Sequence, residues 1–179
     1  MNNDTIAAIA SGPSPGAIGV LRISGAHSLE IICACQENPR KFIARRMYLS
    51  KLIDPDSKRV LDEVLIAYFR APHSYTGEDT VEIYAHGGSL NLARILETIL
   101  KLGARLAQPG EFTQRAFLNK KLDLSQAEAV MDIIGAQTQR ALDEAQRQLT
   151  GSLSKYISEL RHQLLKLLIL IEASIDVSA

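Results

Sequence analysis

The strand-like pattern of this 179-residue chain stops at about residue 108, and that boundary constrains the fold more than any other feature. Before it, short runs of β-branched and other apolar residues alternate with helix-like stretches; after it, apolar residues recur only at helical spacing. Thr5–Ala10, Ile18–Ser24, Arg45–Ile53, Val60–Phe69 and Val81–Ala85 read as strands, with Arg105–Ala107 as one last short strand. Ser28–Cys35 and Ser89–Leu102 read as helices. The second sets Leu92, Ile95, Leu96, Ile99 and Leu100 on one face and is closed by Gly103. Gly12–Gly16 and Asp54–Ser57 carry turn residues, and Pro72–Asp79 is a polar loop.

Beyond Pro109-Gly110 the spacing predicts a short helix over Glu111–Leu118. Ser125 and Glu128 then stand at capping-box spacing, ahead of Ala127, Val130, Met131, Ile134, Leu142, Ala145 and Leu149. Gly151 is expected to weaken or bend that helix. Leu153, Ile157, Leu160, Leu164, Leu167, Leu168, Ile171 and Ile175 follow as a near-heptad stripe. The expected class is α+β: a mixed β-sheet with flanking helices over residues 1–118, then an all-α segment over 119–179. The stripe runs to Ser178-Ala179 without a cap, as a truncated helical domain would.

Several chemistries are missing from the sequence. No glycine is followed by lysine, so there is no phosphate loop of the G-x-x-x-x-G-K-[ST] type, and no G-x-G-x-x-G or G-x-S-x-G motif occurs. No acid–base pair stands out as catalytic. The two cysteines, Cys33 and Cys35, are too close for an ordinary disulfide and lack a second pair for zinc; they read as reduced helix residues, and no metal is expected. Met1-Asn2-Asn3-Asp4 does not start like a signal peptide, and Leu164–Ile175 is too short and too charged to span a bilayer. A cytoplasmic protein without membrane attachment is expected. Lys plus Arg (20) balances Asp plus Glu (20), so any nucleic-acid contact must come from a local patch.

Three stretches can carry a site. In Gly19–Gly25, Arg22 shares a strand face with Val20 and Ser24 amid apolar neighbours; it either pairs with an anion or lies at an edge. In Tyr75–Gly88, Glu82 sits on a strand, where its carboxylate can accept two parallel N–H donors or simply face water. The His86-Gly87-Gly88 junction offers backbone N–H groups at a helix start, an anion site or a tight turn. In Pro109–Leu124, Lys120 and Lys121 point different ways. Arg40-Lys41 and Arg45-Arg46 form a basic stretch able to touch phosphates, although a solvated strand end is the simpler reading.

Taken in order, GVLRISG, YTGEDTVEIYAHGG and PGEFTQRAFLNKKLDLSQAEAVMDII resemble the N-terminal region of the tRNA-modification GTPase family MnmE (TrmE). QLTGSLS and LLKLLILIEASID resemble the start of its helical domain. The resemblance implies a fold like the tetrahydrofolate-binding domain of aminomethyltransferases. It implies binding of 5-formyltetrahydrofolate or 5,10-methylenetetrahydrofolate, and homodimerisation. It also implies work with the flavoprotein MnmG (GidA) on C5 of the wobble uridine (U34) of tRNA. Arg22, Glu82 and Lys121 match the family's folate contacts: Glu82 for the pterin N–H donors, Arg22 and Lys121 for anionic or carbonyl oxygens. GTP, magnesium and potassium would enter only through a GTPase domain that this sequence does not contain, so no GTPase activity is expected of it. A free-standing aminomethyltransferase-like enzyme is the alternative.

Overall fold

The structure, a computed structural model, describes residues 4–12 and 16–176, with side chains to residue 173. Most of the expected turn at Gly12–Gly16, the side chain of Ile175, and both chain ends therefore lie outside the described residues. The chain forms two compact units, Met1–Lys121 and Leu122–Ala179.

The first unit is built on strands β1 (Ile6–Ile9), β2 (Ile18–Ser24), β3 (Met47–Ile53), β4 (Val60–Phe69), β5 (Thr80–His86) and β6 (Arg105–Leu106). They lie in the order β3-β4-β5-β2-β1-β6. Only the β1–β6 pair is parallel; every other neighbour is antiparallel. Helices α1 (Ser28–Ala34) and α2 (Ser89–Lys101) cover one face. There Ala7, Leu21, Ile23, Val64, Ile66, Val81 and Ile83 pack with Ile31, Ile32, Leu92, Ile95 and Ile99 in a single core. The two-residue period of the strands sends the alternate residues to the other face. On its β1–β2 side that face is covered by the loop before β5 and by α3 (Glu111–Leu118), which bury Ile6 and Ala116. On its β3–β4 side Met47, Leu49 and Leu65 are exposed.

The expected mixed sheet with flanking helices, followed by an all-helical segment, is what forms. The unit boundary falls three residues beyond residue 118 for a local reason. Asn119 Nδ2 donates to Thr76 O (2.8 Å) and Lys121 Nζ donates to Pro72 O (3.0 Å), which ties both to the loop of the first unit.

The second unit contains α4 (Leu124–Gly135), α5 (Gln139–Leu149) and α6 (Ser152–Asp176). Its capping box is not Ser125 with Glu128. Asp123 caps α4: its Oδ1 accepts from Gln126 N (2.8 Å), and Gln126 Oε1 accepts from Asp123 N (3.0 Å). A carboxylate at the helix start also meets the positive end of the helix dipole, so Asp123 outcompetes a serine already inside the first turn. The continuous spacing from Ala127 to Leu149 hides a break. Thr138 opens a new helix by accepting from Ala141 N (3.2 Å). Gly151, at φ 78°, separates α5 from α6 rather than bending one helix. The start of α4 lies beside the end of α5, joined by Gln126 Nε2 to Leu149 O (2.9 Å) and Gln148 Nε2 to Ser125 O (3.0 Å). No described helix is long and apolar enough to cross a membrane.

Candidate functional site

Strand register brings two of the three expected site residues together. Arg22 on β2 is directly opposite Glu82 on β5. The guanidinium donates from Nε (3.0 Å) and Nη2 (2.7 Å) to the same oxygen, Glu82 Oε1. Tyr84 donates its hydroxyl to Oε2 (2.7 Å), and that bond, with burial, pushes the phenol pKa up to about 12. The anion required by an arginine among apolar neighbours is therefore the chain's own carboxylate. Both side chains keep some exposure, 23% for Arg22 and 15% for Glu82, so the pair is reachable from outside.

Two aromatic rings stand beside this pair. Arg22 Cζ lies 5.0 Å from the Tyr75 ring centroid and 5.5 Å from that of Phe112, within cation–π range. Tyr75 Oη and Thr113 Oγ1 share a hydrogen bond (2.9 Å), which links the loop to α3. Lys121, the third expected residue, packs against that same loop. A Cβ on Gly77 would stand 3.2 Å from Lys121 Cγ. Gly77 itself needs its positive φ (79°) for the turn. Lys121 is thus beside the segment that carries Tyr75 rather than on the Arg22–Glu82 pair. Lys120 adopts a left-handed backbone (φ 58°), which turns the chain out of α3.

An ion network holds these walls. Arg115 on α3 is 7% exposed. It donates to Asp4 O (2.9 Å), Asp4 Oδ1 (2.7 Å), Glu111 Oε1 (3.0 Å) and both oxygens of Glu78 (3.3 and 3.2 Å). Arg105 reaches Asp4 and Glu111 from β6, while Ser24 Oγ donates to Glu78 Oε2 (2.8 Å). One cation therefore joins the N-terminal segment, the Tyr75 loop and the helix of Phe112. The Glu111–Arg115 spacing on one helix was visible in the sequence. Asp4 and Glu78, distant along the chain, were not.

Arg105, then the Gln108 N–H and Arg115, hold the Glu111 carboxyl well below its ordinary range, at about 2, against the opposing effect of burial. Asp4 is lowered as well, chiefly by Arg105. Because the folded pKa lies below the unfolded value of about 4.3, this stabilisation is complete above that value and is lost as pH falls towards 2. Glu111 alone is expected to contribute on the order of 2 kcal/mol at neutral pH. Urea unfolding of the chain and of Glu111→Gln, followed from about pH 6 to pH 3, checks this. The variant should show the shallower decline, and parallel curves would contradict the assignment.

The His86-Gly87-Gly88 junction is occupied from within. Asp62 of β4 accepts from His86 N (2.9 Å) and Asn91 Nδ2 (2.6 Å) and bonds His86 Nδ1 (2.7 Å). Gly87 N donates to Ala17 O (3.1 Å). A Cβ at Gly87 would lie 2.2 Å from Gly16 O, so close backbone approach is the reason for glycine there. Cys33 is half-buried in α1, and Cys35 is buried just past its end. Burial, with the charge of Asp54 beside it, raises the Cys35 thiol to about 12, so it is chemically inert at neutral pH.

This architecture is an α+β sheet domain with a partly exposed carboxylate–guanidinium pair between aromatic walls, continued by an all-α segment. The family model described as "GTP-binding protein TrmE N-terminus" matches residues 5–121, and "MnmE helical domain" matches residues 124–179. The chain belongs to the TrmE N-terminal family. It is 47% identical over 179 residues to the tRNA modification GTPase MnmE of Alkaliphilus oremlandii, covering 97% of this chain and 39% of that protein. It is 48% identical to its counterpart in Syntrophus aciditrophicus (98% and 39%) and 46% to that in Geobacillus kaustophilus (97% and 38%). The chain thus spans about two-fifths of the length of these relatives.

Proposed function

We propose that the first unit binds a reduced folate, 5-formyltetrahydrofolate or 5,10-methylenetetrahydrofolate, as part of a tRNA-modification GTPase. The observation that carries this reading is the Glu82 carboxylate on the sheet, partly exposed, with the Tyr75 and Phe112 rings next to its partner Arg22. A pterin ring presents adjacent N–H donors and two flat faces. A carboxylate suits the donors and aromatic rings suit the faces. Arg22, exchanging from Glu82, and Lys121 suit the carbonyl and carboxylate oxygens of the rest of the ligand. When bound, the folate supplies the one-carbon unit for modification at C5 of the wobble uridine. The protein's part is to hold and orient it. Calorimetric titration of the chain with 5-formyltetrahydrofolate tests this, and the absence of binding heat across several temperatures would overturn it.

The unit also homodimerises in this reading. Met47 (55% exposed), Leu49 (59%) and Leu65 (40%) support it, because they form an apolar strip on the uncovered β3–β4 side of the sheet. Sedimentation velocity should show a mass that rises with concentration toward a dimer, and Leu49→Glu should shift the chain toward monomer. A monomer at every concentration contradicts it. GTP hydrolysis, with its magnesium and potassium, and the work with MnmG on tRNA belong in this reading to the complete cytoplasmic protein, of which this sequence is one part.

A further inference from the structure

We propose that residues 40–46, the segment entering β3, form a ridge that binds the phosphate backbone of RNA. The inference rests on the reading that the parent protein handles tRNA. Residues 38–53 carry five cations, Arg40, Lys41, Arg45, Arg46 and Lys51, and no carboxylate at all, in a chain whose net charge is zero. The remainder of the chain is therefore acidic, and the positive potential is concentrated here.

All five side chains are exposed, and none forms an ion pair with a described residue. Elsewhere in the unit Arg22, Arg105 and Arg115 hold carboxylates, while the exposed Arg59, Arg70 and Arg94 stand far apart along the chain; only the segment entering β3 gathers four unpaired cations together. The ridge cations are also carried on a fixed backbone. Phe42 is buried and meets Tyr48 edge-on, with ring centroids 5.2 Å apart. Ile43 N donates to Tyr48 Oη (3.0 Å), and Arg45 N donates to Tyr68 O (2.8 Å). Arg45 holds a left-handed backbone (φ 64°), where glycine would fit at no steric cost. Arg40 lies over the Tyr48 ring at 6.0 Å. Lys51 lies outside the ridge: it shares the β3 face of Met47 and Leu49 and is directly opposite Glu63 on β4. Unpaired cations on a fixed backbone have no internal ion pair to break when a polyanion arrives, and each phosphate they neutralise releases counterions.

The test uses the 179-residue chain and an unmodified tRNA transcript, with anisotropy read at a series of KCl concentrations. Wild-type affinity should fall steeply with salt. The double variants Arg40→Gln/Lys41→Gln and Arg45→Gln/Arg46→Gln should each weaken binding roughly ten-fold at low salt. Each should also flatten the log–log slope by about one to two. Lys155→Gln/Arg161→Gln, on α6, serves as control and should change neither. Unaltered melting temperature and unaltered folate titration show that the variants keep their fold. If tRNA binds with the same slope in both ridge variants, the ridge is wrong while the tRNA reading stands. If no tRNA binds at any salt, both fall. Binding of phosphatidylglycerol vesicles in place of tRNA also overturns the proposal.

Discussion

Replacing Arg115 by methionine is expected to cost about 3–5 kcal/mol of stability, the range for breaking a buried ion pair from one side. Methionine keeps most of the aliphatic bulk, so the loss is electrostatic rather than a cavity. Arg105 still serves Asp4 and Glu111 in the variant, but Glu78 loses the only cation that it touches among the described residues and keeps Ser24. The Asp4 backbone carbonyl loses its partner too. Urea unfolding read by circular dichroism measures the change, and a loss below about 1 kcal/mol would show that the network is held by Arg105 alone. Where enough folded protein remains, the Tyr75 loop and α3 should be the first segments to exchange their amide hydrogens, since Arg115 joins them.

The second large effect concerns Glu82. Glu82→Ala is expected to weaken folate binding by about 2–4 kcal/mol, roughly 30- to 1,000-fold, because a partly desolvated charged acceptor is lost. Arg22→Ala should weaken it by less: the guanidinium's contact with ligand oxygens is lost, but Glu82 Oε1 no longer has to be released from Arg22. The same Glu82 variant carries an internal check that is independent of any ligand. Tyr84 owes its raised phenol pKa first to the bond with Glu82, so its spectrophotometric titration should move down toward the ordinary tyrosine value of about 10. If Tyr84 moves and folate affinity does not change in either variant, the geometry is right and the folate site is misplaced.

The structure also alters what binding requires. Glu82 read by itself is a free acceptor for two N–H groups. In the fold its Oε1 already takes two bonds from Arg22 and its Oε2 one from Tyr84. A ligand offering a similar planar, paired-donor edge therefore competes with Arg22 for the same oxygens. Affinity is then set by the difference between two charge-assisted arrangements, not by the whole strength of one. This is why a side chain without an evident partner in the sequence is a poor guide to binding energy.

Much of the fold was legible residue by residue. The alternation in β2 and β5, the one-sided stripe of α2 and the end of strand signal near residue 108 each express a local rule: period 2 for strands, 3.6 for helices. Helix boundaries in the second unit were less legible. Asp123 and Ser125 are both good caps, and choosing between them depends on the φ/ψ angles of the entering chain. Asp123 also receives a bond from Ser154, on α6, which no local pattern announces. The break at Thr138 was hidden because apolar residues kept helical spacing across it, although Met131 and Ile134 are exposed and the buried residues of the two helices are Ala129 and Ala145.

What the sequence determined by itself was therefore the α+β-then-α order, the candidate trio Arg22, Glu82 and Lys121, and the absence of a phosphate loop. The order of elements and the missing loop follow from residue type and spacing, which act over a few positions; spacing left Arg22 and Glu82 open to a solvent reading, and the trio with Lys121 rests on resemblance to the family's motifs. Tertiary structure decided which charges meet. Arg22 faces Glu82 because β2 and β5 are neighbours, although 60 residues separate them in the chain. Arg115 reaches Asp4 across 111 residues. Coulomb and hydrogen-bond energies depend on distance in space and on burial, and neither is a function of position along the chain until the sheet has set its strand order.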